Sequence, residues 1–169
     1  AIYSYDASAT ISELGVISYT LPSTQAYAEE SFGMGVNTML AVTENLDDKF
    51  LAFKNVCGYL KIKLYGEQAT IIKSLTIKGN AGEKIAGNAT ISGSYGSAPV
   101  VAMTEGSTDT ITINCGEGVE LSADAENPTE FWVVVPPTTF ESGITITVTD
   151  TEGGVFEKST DKQIAIDQV

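Results

Sequence analysis

The run Ile144-Thr145-Ile146-Thr147-Val148-Thr149 alternates branched apolar and hydroxyl side chains through three full periods. In an extended chain a period of two sends the apolar residues to one face and the threonines to the other. A helix would scatter both around its surface. The same alternation runs through Leu60-Lys61-Ile62-Lys63-Leu64, Leu75-Thr76-Ile77-Lys78 and Ile111-Thr112-Ile113. Threonine at the outward positions suits a pleated, half-exposed surface. Phe131 to Val135 is apolar without a break and predicts a central strand covered on both faces.

Turn chemistry separates these runs at short intervals. Lys78-Gly79-Asn80-Ala81-Gly82-Glu83 and Asp150-Thr151-Glu152-Gly153-Gly154 read as hairpin loops. Gly93-Ser94-Tyr95-Gly96-Ser97 and Pro136-Pro137 mark further breaks. The pattern predicts about ten to twelve short strands and hence an all-β protein, a β-sandwich. Gln25 to Glu30 is the only stretch with any helical pattern, and it is short and weakly patterned. In the less regular first fifty residues, Val16–Leu21 and Met39–Val42 read as strands joined by a long excursion. Ser31 to Thr38 is the expected flexible part of it.

A chain of 169 residues, 43% of them hydrophobic, is sized for one domain around one core. Residues 1–169 are therefore expected to be a single β-sandwich domain. Ala1-Ile2-Tyr3-Ser4-Tyr5 reads as the middle of a longer chain, so a fragment or processed form is expected. No apolar run approaches the ~18–20 residues of a membrane-spanning helix.

The nine basic residues are all lysines, set against 22 acids, for a net charge of −13. Nucleic acid requires counter-charges along its phosphates and favours arginine at base edges, so neither it nor an anionic membrane is an expected partner. Residues 86–169 carry thirteen of the acids and only Lys158 and Lys162. That half reads as a solvated face, with a docking face for a basic partner or divalent cations as the alternative.

Histidine is absent, which removes the commonest general base near neutral pH and every Ser-His-Asp or Cys-His arrangement. Carboxylate-only hydrolysis needs two converging acids. The adjacent pairs Asp47-Asp48 and Glu29-Glu30 fit exposed turns better, since strand neighbours point to opposite faces. Asp124, Glu126 and Asn127 form an oxygen-rich cluster without the spacing of an EF-hand, and read as an acidic loop. No catalytic, cofactor-binding or metal-ligating residue is assigned. Cys57 and Cys115 are expected as two buried free thiols, with a disulfide as the alternative. Trp132 is expected in the core, with a sugar-stacking platform as the alternative, and Tyr3, Tyr5, Tyr19 and Tyr27 are candidate exposed contact residues.

Phe53-Lys54-Asn55-Val56-Cys57-Gly58-Tyr59-Leu60 resembles a strand of the fimbrillin-like surface lipoproteins of gut Bacteroidales. Leu75-Thr76-Ile77-Lys78-Gly79-Asn80-Ala81-Gly82-Glu83-Lys84-Ile85-Ala86-Gly87 resembles the element that follows it in that family. Further similar stretches are Leu21 to Tyr27, Asn114 to Val119, Thr129 to Phe140 and Thr147 to Gly154. Together they extend over most of the chain.

The resemblance implies a transthyretin-like or immunoglobulin-like Greek-key sandwich, export through a lipoprotein signal, and display on the outer membrane or in a fimbria. It implies a structural or adhesive role without catalysis or cofactor. The implied partners are other fimbrial or surface subunits that add a strand to the sandwich, together with host or glycan ligands. A carbohydrate-binding module of a surface glycan system is the alternative, using rim aromatics and acids. A carboxylate hydrolase is the third reading.

Overall fold

The alternating runs become strands, and a computed structural model describes all 169 residues as strands and turns without a helix. In chain order the elements begin with β1 (Ile2–Tyr3), β2 (Thr10–Ile11), β3 (Ile17–Leu21), β4 (Thr24–Ala28), β5 (Ser31–Phe32) and β6 (Met39–Leu40). Next come β7 (Lys54–Asn55), β8 (Gly58–Leu64), β9 (Ile71–Gly79), β10 (Ala86–Ser92), β11 (Val100–Thr108) and β12 (Thr110–Glu120). The chain closes with β13 (Thr129–Val135), β14 (Thr138–Phe140), β15 (Ile144–Asp150), β16 (Val155–Ser159) and β17 (Ile164–Ile166). Twelve of these strands are longer than two residues. The other five are too short to display a period, which is why alternation alone leads to ten to twelve. No helix is long and apolar enough to cross a membrane.

The strands form an all-β sandwich. A six-stranded sheet has the order β16-β15-β9-β12-β4-β5, and a four-stranded sheet the order β11-β10-β3-β2. A two-stranded ribbon, β13-β8, accompanies them, with smaller pairings β1-β6-β7 and β14-β17. Every pairing is antiparallel except β12 with β4, where Ile113 stands opposite Gln25.

Two cores replace the single one expected. In the larger, Leu75, Ile77, Ile111, Ile113, Ile144 and Val148 of the six-stranded sheet pack with Ile62 of β8 and Phe131, Val133 and Val135 of β13. In the smaller, Ile17, Tyr19, Leu21, Ala89 and Ile91 of the four-stranded sheet pack with Val36, Leu40, Val56, Cys57 and Val134. The pleat of β13 is the reason: its odd residues face one sheet and Val134 faces the other. The strand is thus covered on both faces from Val133 to Val135, but it is not the central strand its unbroken apolar run predicts, because its backbone pairs with β8 alone.

One polar side chain joins the two halves. Gln25 is 2% exposed, and its amide receives the Val134 N–H at 3.0 Å and donates to the Val134 carbonyl at 2.8 Å. β13 pairs through its backbone with β8 alone. At Val134 the Gln25 amide therefore stands where another strand's peptide group would be, satisfying a buried donor and acceptor.

Several expectations are corrected. The Gln25–Glu30 stretch is the strand β4 and its turn, because its parallel bonds to β12 outweigh a weak helical pattern. The Ser31–Thr38 excursion is packed, with Val36 and Thr38 buried. A Cβ on Gly33 within it would come 2.4 Å from the Ala26 carbonyl oxygen. Lys78–Glu83 is not a hairpin loop, since β9 belongs to the six-stranded sheet and β10 to the four-stranded one. It is a corner between sheets, held by Asn80, whose side chain donates to the Ser142 and Thr160 carbonyls and accepts from Thr145 Oγ1. Asp150–Gly154 is a hairpin turn, with Asp150 Oδ1 receiving the N–H groups of Glu152 and Gly154.

Tyr19 is buried rather than exposed, because Ile17-Ser18-Tyr19-Thr20-Leu21 alternates inward through the ring. Its hydroxyl donates to the Ser4 carbonyl at 2.8 Å. Tyr27 is half-buried against Phe131, at 5.3 Å between ring centroids. Tyr3 and Tyr5 are exposed. Cys57 and Cys115 are free and buried, one in each core. Burial pushes their thiols up, Cys57 to about 12 and Cys115 to about 11.

Candidate functional site

The six-stranded sheet is wider than the two-stranded ribbon packed on it, and this mismatch creates the most distinctive surface of the molecule. β8 pairs only with β13, and β16 pairs only with β15. Between them lies a groove of about 730 Å³. Core residues Ile62, Ile144 and Val148 reach its lining, with the partly buried Leu60, Leu64, Ile146 and Ile164 around them. Phe156, directly opposite Val148 on the β15–β16 ladder, is 57% exposed there. Nine of the fifteen lining residues are hydrophobic, so water contacts apolar surface that a further strand would cover.

The backbone along this groove is unfilled too. The chain's last residues cover only one end of β8, where the Val169 N–H reaches the Cys57 carbonyl at 3.4 Å. The Asp167 carbonyl oxygen occupies the space a Cβ on Gly58 would need, which explains the glycine at that crossing. From Leu60 to Leu64 the backbone groups pointing away from β13 have no backbone partner. An unpaired edge beside an apolar slot can accept a strand through ladder hydrogen bonds and alternate side chains. Lys158 is the one inward cation, set opposite Ile146, and it forms no ion pair.

The opposite face of the ribbon carries the aromatic residues. Phe32 stacks on Tyr59 at 5.0 Å, and Tyr59 meets Trp132 edge-on at 6.3 Å. Trp132 is only half-buried, contrary to its expected place in the core, because the even-numbered residues of β13 ahead of Val134 lie on this less covered face. Its ring and N–H are already engaged. The Lys61 ammonium stands 4.4 Å from the ring centroid, and the indole N–H donates to Glu130 at 3.2 Å. Desolvation raises the Glu130 carboxyl. Hydrogen bonds from Lys61 and Trp132 and the charges of Lys61 and Lys63 outweigh it and hold the group below the usual range.

Beside Glu130 opens a polar cleft of about 630 Å³ that also includes Tyr27, Glu29, Glu30, Glu120, Glu126 and Lys63. The fold thus brings the Glu29-Glu30 pair and Glu126 to one place and leaves Asp47-Asp48 on a separate exposed turn. Nowhere do three or more acids or cysteines converge as a metal site. Asp124 accepts from Asn127 Nδ2 and the Glu126 N–H, so the oxygen-rich cluster satisfies itself as a turn. These hydrogen bonds, the Asn127 one largest, hold its carboxyl below the usual range.

The groove is not legible from spacing. Leu60-Lys61-Ile62-Lys63-Leu64 and Val155-Phe156-Glu157-Lys158-Ser159 identify two amphipathic strands, but their open edges depend on which strands they pair with. No family model, curated protein or solved structure matches the chain.

Proposed function

We propose that this protein is a structural or adhesive subunit of a bacterial surface, which takes a β-strand from a partner subunit into the groove between β8 and β16. The observation that carries the reading is the unpaired Leu60–Leu64 edge above an apolar groove lined by half-buried Leu60, Leu64, Ile146 and Ile164 and the exposed Phe156. An added strand removes apolar surface from water and satisfies the open backbone groups, two gains from one contact. The fimbrillin-like resemblance, with its transthyretin-like sandwich and surface display, points the same way.

The test is amide exchange followed by NMR, with a synthetic strand of alternating valine and threonine added. Slowed exchange along Leu60–Leu64 or Val155–Ser159, with a raised melting temperature, supports the reading. Unchanged exchange at both strands, in a protein that stays monomeric, overturns it. Antibody labelling of intact producing cells checks surface display.

A second reading, a carbohydrate-binding module, is favoured by the Phe32–Tyr59–Trp132 row beside the acidic cleft. It ranks lower because Lys61 and Glu130 already occupy the indole. Glycan-array binding that Trp132→Ala abolishes would promote it.

A further inference from the structure

The segment after β6 exposes apolar side chains in a manner the rest of the surface does not. Leu46 is fully exposed and Phe50 is 81% exposed, and Leu51, Ala52 and Phe53 are exposed after it. Four consecutive exposed apolar residues are a liability unless another surface covers them. Their backbone is equally free. The Phe50 N–H is held by Asp48 Oδ1, while Leu51, Ala52 and Phe53 make no backbone hydrogen bond.

We infer that Lys49–Phe53 is itself the strand that enters the groove, in a second copy of this chain. The inference rests on the strand-accepting reading above. Length fits: five residues of extended chain, ~17 Å, match the five open residues Leu60–Leu64. Side-chain alternation fits in either orientation. Phe50 and Ala52 point one way and Leu51 and Phe53 the other, so a phenyl ring enters the slot whichever face turns inward. Charge fits as well. Asp47, just ahead of the segment, makes no side-chain hydrogen bond, and the groove holds the unpaired Lys158 on the same face as Phe156.

The segment cannot fold back onto its own β8. Lys54 and Asn55 pair with β6, and Val56 is fully buried in the smaller core, which fixes the chain between segment and strand. Segment and groove are different surfaces, so the contact is heterologous. It leaves one free segment and one free groove at the ends, and chains of copies grow from it.

The experiment uses two surface variants. One carries Phe50→Ser, Leu51→Ser and Phe53→Ser, and the other carries Phe156→Ser and Lys158→Glu. All five positions are exposed, and circular dichroism and melting temperature verify the fold of each variant. Sedimentation from micromolar to millimolar concentration is expected to show wild-type mass rising with concentration. Either variant alone is expected to associate roughly tenfold or more weakly. An equimolar mixture of the two is expected to stop at a dimer, because each supplies the element the other lacks. Wild type that stays monomeric throughout overturns the inference, as do variants that assemble like wild type or a mixture that stays monomeric. The valine–threonine strand separates the two levels. If it protects Leu60–Leu64 while the wild type stays monomeric, only self-association falls. If it protects neither edge and the wild type stays monomeric, the strand-accepting reading falls too.

Discussion

Gln25→Leu keeps roughly the volume of the side chain and removes both partners of the Val134 peptide group. A buried backbone group left unpaired costs about 1–3 kcal/mol, so the two cost about 2–6 kcal/mol. Leucine's extra apolar burial offsets about 1–2 kcal/mol of this. The net loss, about 0–5 kcal/mol with a midpoint of about 2.5 kcal/mol, is large against a total stability of about 5–15 kcal/mol. Gln25→Glu adds a signature that a packing defect lacks. Protonated, the carboxyl accepts the Val134 N–H and donates to the Val134 carbonyl, as the amide does. Ionised, it loses the donor and buries a charge, so its folded pKa lies above the unfolded value of about 4.3. Its stability contribution is complete below about pH 4.3 and is lost as pH rises through the folded pKa, at up to about 1.4 kcal/mol per unit. Urea unfolding followed by Trp132 fluorescence should show Gln25→Glu losing about 2–3 kcal/mol against wild type between about pH 5 and about pH 7. A Gln25→Leu loss below about 0.5 kcal/mol would refute the bridging role. So would a Gln25→Glu curve that runs parallel to wild type across this range.

Cys57, ordinarily near 9.0 and pushed up to about 12 by burial, gives alkaline sensitivity. The protonated thiol's contribution is full below pH 9.0 and is lost as pH rises toward about 12, so Cys57→Val should blunt the alkaline fall in melting temperature. Identical alkaline profiles would refute this. Asn80→Ala removes three hydrogen bonds from the corner between β9 and β10 and should cost about 1–3 kcal/mol in urea unfolding, and a neutral result would mean that water replaces them. Glu130 is held below the usual carboxylate range, so its ion pairs are intact above that range and are lost as pH falls through its depressed value. Trp132 emission should shift over that acid window in wild type and stay flat in Glu130→Gln. A shift that survives the substitution points to another titrating group.

The local half of the fold is legible in particular residues. Ile144–Thr149 and Leu60–Leu64 state their own conformation through alternation, and Asp150–Gly154 carries the side chain that caps its turn. Even Tyr19, assigned to the surface by residue type, is inward by the phase of its own strand. Asn114–Val119 is legible in part. Its glycines coincide with a bulge in β12, where Gly118 takes φ +126 and a Cβ would come 2.4 Å from Ile71 Cγ2. The Lys78–Glu83 stretch shows the boundary: its residues specify a change of direction and leave the next strand's partner open.

The candidate site lies beyond that boundary. Gln25 looks like an ordinary polar residue in Thr24-Gln25-Ala26-Tyr27-Ala28 until Val134, more than a hundred positions away, presents its backbone to it. Nothing in Leu60–Leu64 distinguishes an edge strand from a central one, because every strand carries the same N–H and C=O groups. Side-chain period is a property of neighbours in the chain, and the sequence by itself determined the longer alternating strands, the positions where the chain turns and most of the apolar faces. Pairing is a property of neighbours in space. Only the tertiary structure decided that β13 divides two cores, that Gln25 closes the seam between them, and that β8 keeps an open edge over an apolar groove.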